Sequence, residues 1–157
     1  MDDAVTVRAA TAGDMAAVAQ IWADGWGDGH LGHVPEELVA IRTRESFVER
    51  SPARVGDTTV AVTGGEIAGF VMVVGDEVEQ VYVSKNHRGS GVAAIVLTAA
   101  ERVVHENGHE SAWLAVVAGN ARARKFYERQ GWTDDGPFEY PASGGILVPC
   151  HRYVKKV

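Results

Sequence analysis

The stretch Val81-Tyr82-Val83-Ser84-Lys85-Asn86-His87-Arg88-Gly89-Ser90-Gly91-Val92-Ala93 runs from a strand pattern through a basic glycine turn into a helical pattern. Such a turn is suited to phosphate. Gly89 and Gly91 remove the Cβ atoms that would hold a ligand off the main chain, and the free N–H groups and positive dipole at a helix start attract anions. A P-loop would need Lys and Ser or Thr after the last glycine, where Val92 and Ala93 stand. Read as G-x-G-x-x-A over Gly89, Gly91 and Ala94, the turn matches a dinucleotide fingerprint, which also requires an acid after the next strand to hold the ribose. Val117 and Ala118 close that strand, so a nicotinamide cofactor is disfavoured. The competing explanation is that the two glycines shape a tight turn and nothing more.

A second stretch, Asn120-Ala-Arg-Ala-Arg-Lys-Phe-Tyr-Glu-Arg-Gln-Gly-Trp132, follows the next strand pattern. With it, the sequence resembles the GNAT superfamily of acyl-CoA-dependent N-acetyltransferases. The family's Q/R-x-x-G-x-G/A loop falls on Asn86, Gly89 and Gly91, with Asn86 in place of Gln or Arg. Its later N-x-x-A-x-x-F/L-Y-x-x-x-G-F signature falls on Asn120, Ala123, Phe126, Tyr127, Gly131 and Trp132.

The resemblance implies an α/β (α+β) GNAT acyl-CoA N-acyltransferase fold, a mixed sheet of about seven strands flanked by about four helices, in one domain over residues 1–157. It also implies acetyl-CoA as cosubstrate. The pyrophosphate would lie on the N–H groups of Arg88, Gly89, Ser90, Gly91, Val92 and Ala93. Pantetheine would run along the backbone of Val81 and Val83, where parallel strands splay. Asn120 would contact the pantetheine arm, and an Asn at a helix start is equally a good cap. Tyr127 would be the general acid toward the departing thiolate; a phenol stays protonated at neutral pH. As a helix tyrosine beside Phe126 it has a packing explanation too.

Acetyl transfer to a primary amine by direct attack in a ternary complex needs a neutral amine, whereas an alkyl ammonium has a pKa of ~10.4. A base, acting directly or through water, is therefore expected. Glu77 and Glu79 share a strand face, with Gln80 beside them; Glu79 is the first candidate and Glu77 the second. Both also suit a solvated strand start. The resemblance puts the acceptor near Trp26, Asp28, His30, Tyr82 and Tyr140, with Trp22 and His33 close by. Trp26 could face a cation and Asp28 pair with it, although Trp22 and Trp26 at i, i+4 also fit a core.

Three other groupings carry weaker signals. His30-x-x-His33 has a spacing that two metal ligands could use, but no third ligand is near and Gly29 and Gly32 argue for a loop, so no metal is expected. Arg122, Arg124 and Lys125 could approach the CoA 3′-phosphate or form a solvated face. Cys150-His151 in a late strand suits structure better than a nucleophilic pair.

The elements that must position these groups follow from patterning. Val5–Ala9 alternates as a strand, and Thr11-Ala-Gly-Asp14 starts a helix bearing Met15, Val18, Ala19, Trp22 and Trp26. Pro35-Glu-Glu-Leu opens a second helix running to about Glu49. Strands are expected over Thr58–Val62, Ile67–Val74 and Val78–Val83, the first two joined through Thr63-Gly64-Gly65-Glu66. A helix over Gly91–His105, a strand over Trp113–Val117, a helix over Asn120–Gln130 and two extended stretches, Trp132–Tyr140 and Leu147–Val154, complete the order.

Composition limits the alternatives. With 157 residues, a net charge of −6 and 46% hydrophobic residues, one soluble acidic domain is expected. Nucleic acid is an unsuitable partner, because its affinity comes from clustered Lys and Arg. The acidic start, Met1-Asp2-Asp3, is unlike a signal peptide, and the apolar runs fall short of the ~20 residues of a membrane span. One cysteine suits a cytoplasmic home. The expected function is thus an acetyl-CoA-dependent N-acetyltransferase acting on an amine of a small molecule or protein, with a homodimer left open. The alternative is a non-catalytic acyl-CoA-binding or regulatory module.

Overall fold

The computed structural model describes residues 4–157. A seven-stranded sheet runs in the order β1-β2-β3-β4-β5-β7-β6. The strands are β1 (Thr6–Ala9), β2 (Thr58–Thr63), β3 (Glu66–Val74), β4 (Glu77–Val83), β5 (Ser111–Val117), β6 (Thr133–Pro141) and β7 (Leu147–Lys156). Every neighbouring pair is antiparallel except β4 and β5. Five helices cover the sheet, α1 (Met15–His30), α2 (Glu36–Ile41), α3 (Arg44–Arg50), α4 (Val92–Glu106) and α5 (Ala121–Arg129). Among the described residues no helix is long and apolar enough to cross a membrane.

Two apolar layers form, one on each sheet face. Val96, Leu97, Ala100 and Val104 of α4 pack with Val71, Val73 and Leu114, joined by Tyr127 of α5 and Trp132. On the other face Val18, Trp22 and Trp26 of α1, Leu38 of α2 and Phe47 of α3 pack on Val60, Phe70 and Met72. Trp22 meets Phe47 edge-on at 5.3 Å between ring centroids, a favoured aromatic geometry. The β2–β3 hairpin closes through Gly64 and Gly65 at φ of 58° and 78°. Two consecutive positive φ angles give the turn whose twist matches the strands, which is why glycines stand there.

Two expectations are corrected. The single helix expected from Pro35 to about Glu49 is two, because Thr43 begins a new one: its side chain accepts a hydrogen bond from the Ser46 N–H at 3.2 Å. The loop expected around Gly29 is helix, since α1 continues through Gly25, Gly27 and Gly29 to His30. Tertiary packing accounts for Gly25, where a Cβ would overlap the Tyr82 ring. Asp14 begins α1 as anticipated, accepting from the Thr11 N–H at 2.8 Å and from Arg8 at 2.6 Å.

Two irregularities of β4 shape the functional region. It meets β5 at one register pair only, Glu77 with Trp113, backed by the Trp113 N–H donating to the Asp76 carbonyl at 3.0 Å. Beyond Glu77 the two strands diverge. The register with β3 also slips, from Met72 opposite Gln80 to Val73 opposite Val78, so Glu79 is the extra residue of a bulge. The slip resets the alternation. Val78, Val81 and Val83 all contact the α4 layer, while Tyr82 packs in the α1 layer.

Candidate active site

A cleft of about 810 Å³ opens where β4 and β5 part, walled by α1 and α2 on one side and by the starts of α4 and α5 on the other. The main chain of β4 faces it. The Ser84 N–H donates to the Ala68 carbonyl at 2.8 Å. By the alternation of an antiparallel ladder, Tyr82 then bonds to β3, and the N–H and C=O groups of Val81 and Val83 point into the gap.

The glycine turn stands at one end. Lys85–His87 form a short 3-10 turn, Gly89 and Gly91 take φ of 78° and 85°, and Gly91 is the N-cap of α4. No atom lies within 4 Å of a Cβ built on either glycine, so the approach to the N–H groups at the start of α4 is open. Arg88 reaches back from this turn to Asp28 on α1 at 2.6 Å. Arg88, Gly89, Gly91, Val92 and Ala93 line the cleft. Ser90 does not; its hydroxyl bonds the His87 carbonyl and braces the turn.

Asn120 and Tyr127 enter from α5. Asn120 caps the helix, its Oδ1 accepting from the Ala123 N–H at 3.2 Å, and it also lines the cleft. The Tyr127 ring is locked among Phe126, Trp132 and Tyr153, with centroids 5.3 to 6.3 Å apart. Its hydroxyl has no hydrogen-bond partner among the described residues, and burial pushes its pKa above the ordinary phenol value. Tyr127 thus lines the cleft with a ring held in place and a neutral phenol.

The acids of β4 line the same space but have different partners. Glu79 receives Arg54 at 2.9 Å, and Arg54 also holds Asp57 at 3.1 Å. Glu77 is half-buried and accepts a hydrogen bond from the Tyr140 hydroxyl at 2.7 Å. Burial raises the Glu77 pKa, partly offset by the Tyr140 hydrogen bond, while the nearby Glu79 and Asp76 charges push it further up.

The remaining expected acceptor residues all line the cleft, mostly as structure. Trp26 is buried and stacks on His30, 4.7 Å between centroids at 6°. Burial pulls His30 down to about 4, so its ring is neutral. Asp28, expected to pair with a cation facing Trp26, is engaged by Arg88 at 2.6 Å. Tyr82 sits behind them in the space left by Gly25, and burial raises its pKa.

Other sequence candidates are not brought together. His33 packs on Gly119, and among the described residues no group of three or more His, Cys, Asp or Glu is disposed to hold a metal. Arg124 is turned to the Ala118 carbonyl and Asp134, at 3.2 Å each, and Lys125 does not line the cleft, whereas Arg122 does. Cys150 is buried and its thiol is pushed up to about 11, while His151 bonds Asp134 at 3.0 Å.

Arg42 and Arg50 line the cleft without having been anticipated. Their nearest sequence signal was a charged helix surface, which carries no information about a strand pairing tens of residues away.

Residues 15–132 match a family model described as the acetyltransferase (GNAT) family. No curated protein matches the chain. Solved structures match over nearly its full length. One is a GCN5-related N-acetyltransferase of Rhodopseudomonas palustris (TM-score 0.76, 18% identity, 100% of this chain and 98% of that one). A second is YncA of Salmonella typhimurium, a putative acetyltransferase solved with acetyl-CoA (0.70, 17%, 98% and 94%). A third is a ribosomal-protein-alanine N-acetyltransferase of Brucella melitensis (0.70, 23%, 97% and 99%). At these identities the likeness is one of fold.

Proposed function

Because the chain belongs to the acetyltransferase (GNAT) family, we propose that it transfers the acetyl group of acetyl-CoA to a primary amine by direct attack. One observation carries this reading: an open glycine turn at a helix start, an unpartnered phenol and a half-buried carboxylate all face one cleft between diverging strands. In this reading the N–H groups from Arg88 to Ala93 receive the pyrophosphate, where α4 adds the positive end of its dipole. The main-chain groups of Val81 and Val83 hold the pantetheine amides, and Asn120 contacts the same arm.

The amine must lose a proton to attack. Glu77 is the stronger candidate base, because burial raises its proton affinity whereas Glu79 is drawn into an ion pair with Arg54. Glu79 remains the second, since it lines the same cleft. As the nitrogen–carbon bond forms and the carbon–sulfur bond breaks, Tyr127 gives its proton to the leaving thiolate. The amine proton passes to the carboxylate, directly or through water.

Calorimetric titration with acetyl-CoA, CoA and NAD, followed by thiol release across an amine panel, tests this proposal. Micromolar binding of acetyl-CoA with amine-dependent thiol release is expected. Absence of CoA binding overturns it. CoA binding that persists with no turnover, in a protein indifferent to Tyr127→Phe, Glu77→Gln and Glu79→Gln, replaces it with a non-catalytic binding module.

A further inference from the structure

Arg50, Arg122 and Arg129 are arginines of the cleft wall whose side chains have neither an ion pair nor a hydrogen bond among the described residues; Arg122 and Arg129 are exposed, whereas the Nη1 of Arg50 is fully buried. Its guanidinium carbon lies over Trp22, 4.6 Å from the ring centroid, and 5.5 Å from that of Phe47. The rings hold the group in place, and its N–H donors have no acceptor among the described residues. A buried guanidinium with unmet donors is costly unless something supplies the acceptor. Arg42 lines the same wall; among the described residues its side chain bonds the Ser143 hydroxyl, at 2.8 Å, and has no ion pair.

The charges around Arg50 do not quench it. Asp57 and Glu79 are both engaged by Arg54, and neither lies within ion-pair distance of Arg50 or Arg42. Tyr82, the remaining polar group facing both arginines, is held neutral by burial. His30, near Arg42, is neutral as well. The cleft is therefore polarised, with acids on β4 and guanidiniums that have no ion pair at the end of α2 (Arg42) and on α3 (Arg50).

We propose that the acceptor is a small amine that also carries a carboxylate, its carboxylate taken by the free edge of Arg50 beside Arg42 and its amine presented to the acids of β4. The planar fork of a stacked guanidinium matches a carboxylate in two-point contact. Glu79 lies close enough to act on the charge of Arg50, which disfavours a doubly charged phosphate at the same edge. Both ends of the acceptor must fit one cleft that also admits the acyl donor, which favours a small molecule over a protein segment. This inference rests on the acetyltransferase reading for the identity of the amine, but the anion site stands on Arg50 itself.

The test compares binding of N-acetylglycine with N-acetylglycine amide, and of N-acetylphenylalanine with its amide, by calorimetry on the protein with and without CoA. These compounds keep the acetylated nitrogen and differ only in the anion. The carboxylate member of at least one pair is expected to bind about ten-fold tighter or more, the order of a charge-assisted contact. In Arg50→Gln the gap closes to within about two-fold, in Arg50→Lys part of it survives, and CoA affinity is unchanged in both. Equal affinities in both wild-type pairs, failure of both carboxylates to bind, or a gap that persists in a folded Arg50→Gln overturns the proposal. The wild-type comparison needs no variant to fold. CoA titration separates the two readings: a carboxylate preference without CoA binding keeps the anion site and removes acetyl transfer, and the reverse result removes only the anion site.

Discussion

The Tyr140 hydroxyl donates to the Glu77 carboxylate at 2.7 Å, tying β6 to β4 across the sheet. The bond favours the ionised carboxylate while burial favours the protonated one, and burial is the larger effect.

If Glu77 is the base, kcat/KM rises with pH along an acidic limb lying above the ordinary glutamate range. Tyr140→Phe removes a bond to the charged form, so the Glu77 pKa goes up and the limb moves to higher pH. Glu77→Gln abolishes the limb. A pH–rate profile of the three proteins checks this, and an unmoved limb in Tyr140→Phe assigns the base elsewhere.

Tyr127→Phe keeps the ring that packs against Trp132 and Tyr153 and deletes only the cleft-facing hydroxyl. The expected loss is about 10²–10⁴-fold in kcat, the usual contribution of a positioned acid. CoA affinity and melting temperature should stay near wild type. Steady-state kinetics beside calorimetry separates this from a packing defect.

Gly91→Glu puts a side chain at φ of 85°, where the space is open but the backbone is strained. The strain costs about 1–2 kcal/mol, which the fold should survive. The added bulk and negative charge at the start of α4 should weaken CoA binding by about ten-fold or more, whereas Gly91→Ala should weaken it less. Titration of folded variants decides it; an unchanged Kd in Gly91→Glu would remove the turn from the cofactor site.

Gly25→Ala forces a methyl into the Tyr82 ring. Overpacking of this kind costs about 1–3 kcal/mol, read as a lower denaturation midpoint. Tyr82→Ala in the same chain should recover part of the loss, since the two positions are in contact and their effects couple. Additive losses in the double variant would show that the cost of Gly25→Ala does not come from the Tyr82 ring.

Strand and helix order, the two motifs and the open glycine turn were legible because each is local: alternation, a glycine pair, a capped helix start. What stayed hidden depends on distant partners. Asp28 was expected to be free for a ligand cation, but it is held by Arg88, 60 residues away. Gly29 and Gly32 suggested a loop, which holds at Gly32 but not at Gly29 inside α1, and the ring that requires Gly25 in the same helix belongs to β4. Glu77 and Glu79 were equivalent by alternation, and only Arg54 and Tyr140, brought in by the turn after α3 and by β6, distinguish them. Arg42 and Arg50 carried no signal, since a helix-surface arginine in sequence looks the same whether it meets water or a cleft.

The inner edge of β4 has an evolutionary consequence. Val81 and Val83 offer main-chain donors and acceptors to the gap, and any residue but proline keeps both groups. This part of the cleft can drift in side chain without losing its hydrogen-bonding pattern, so lineages of the fold can rebuild the facing wall of α1 to α3 while the β4 edge keeps its main-chain groups.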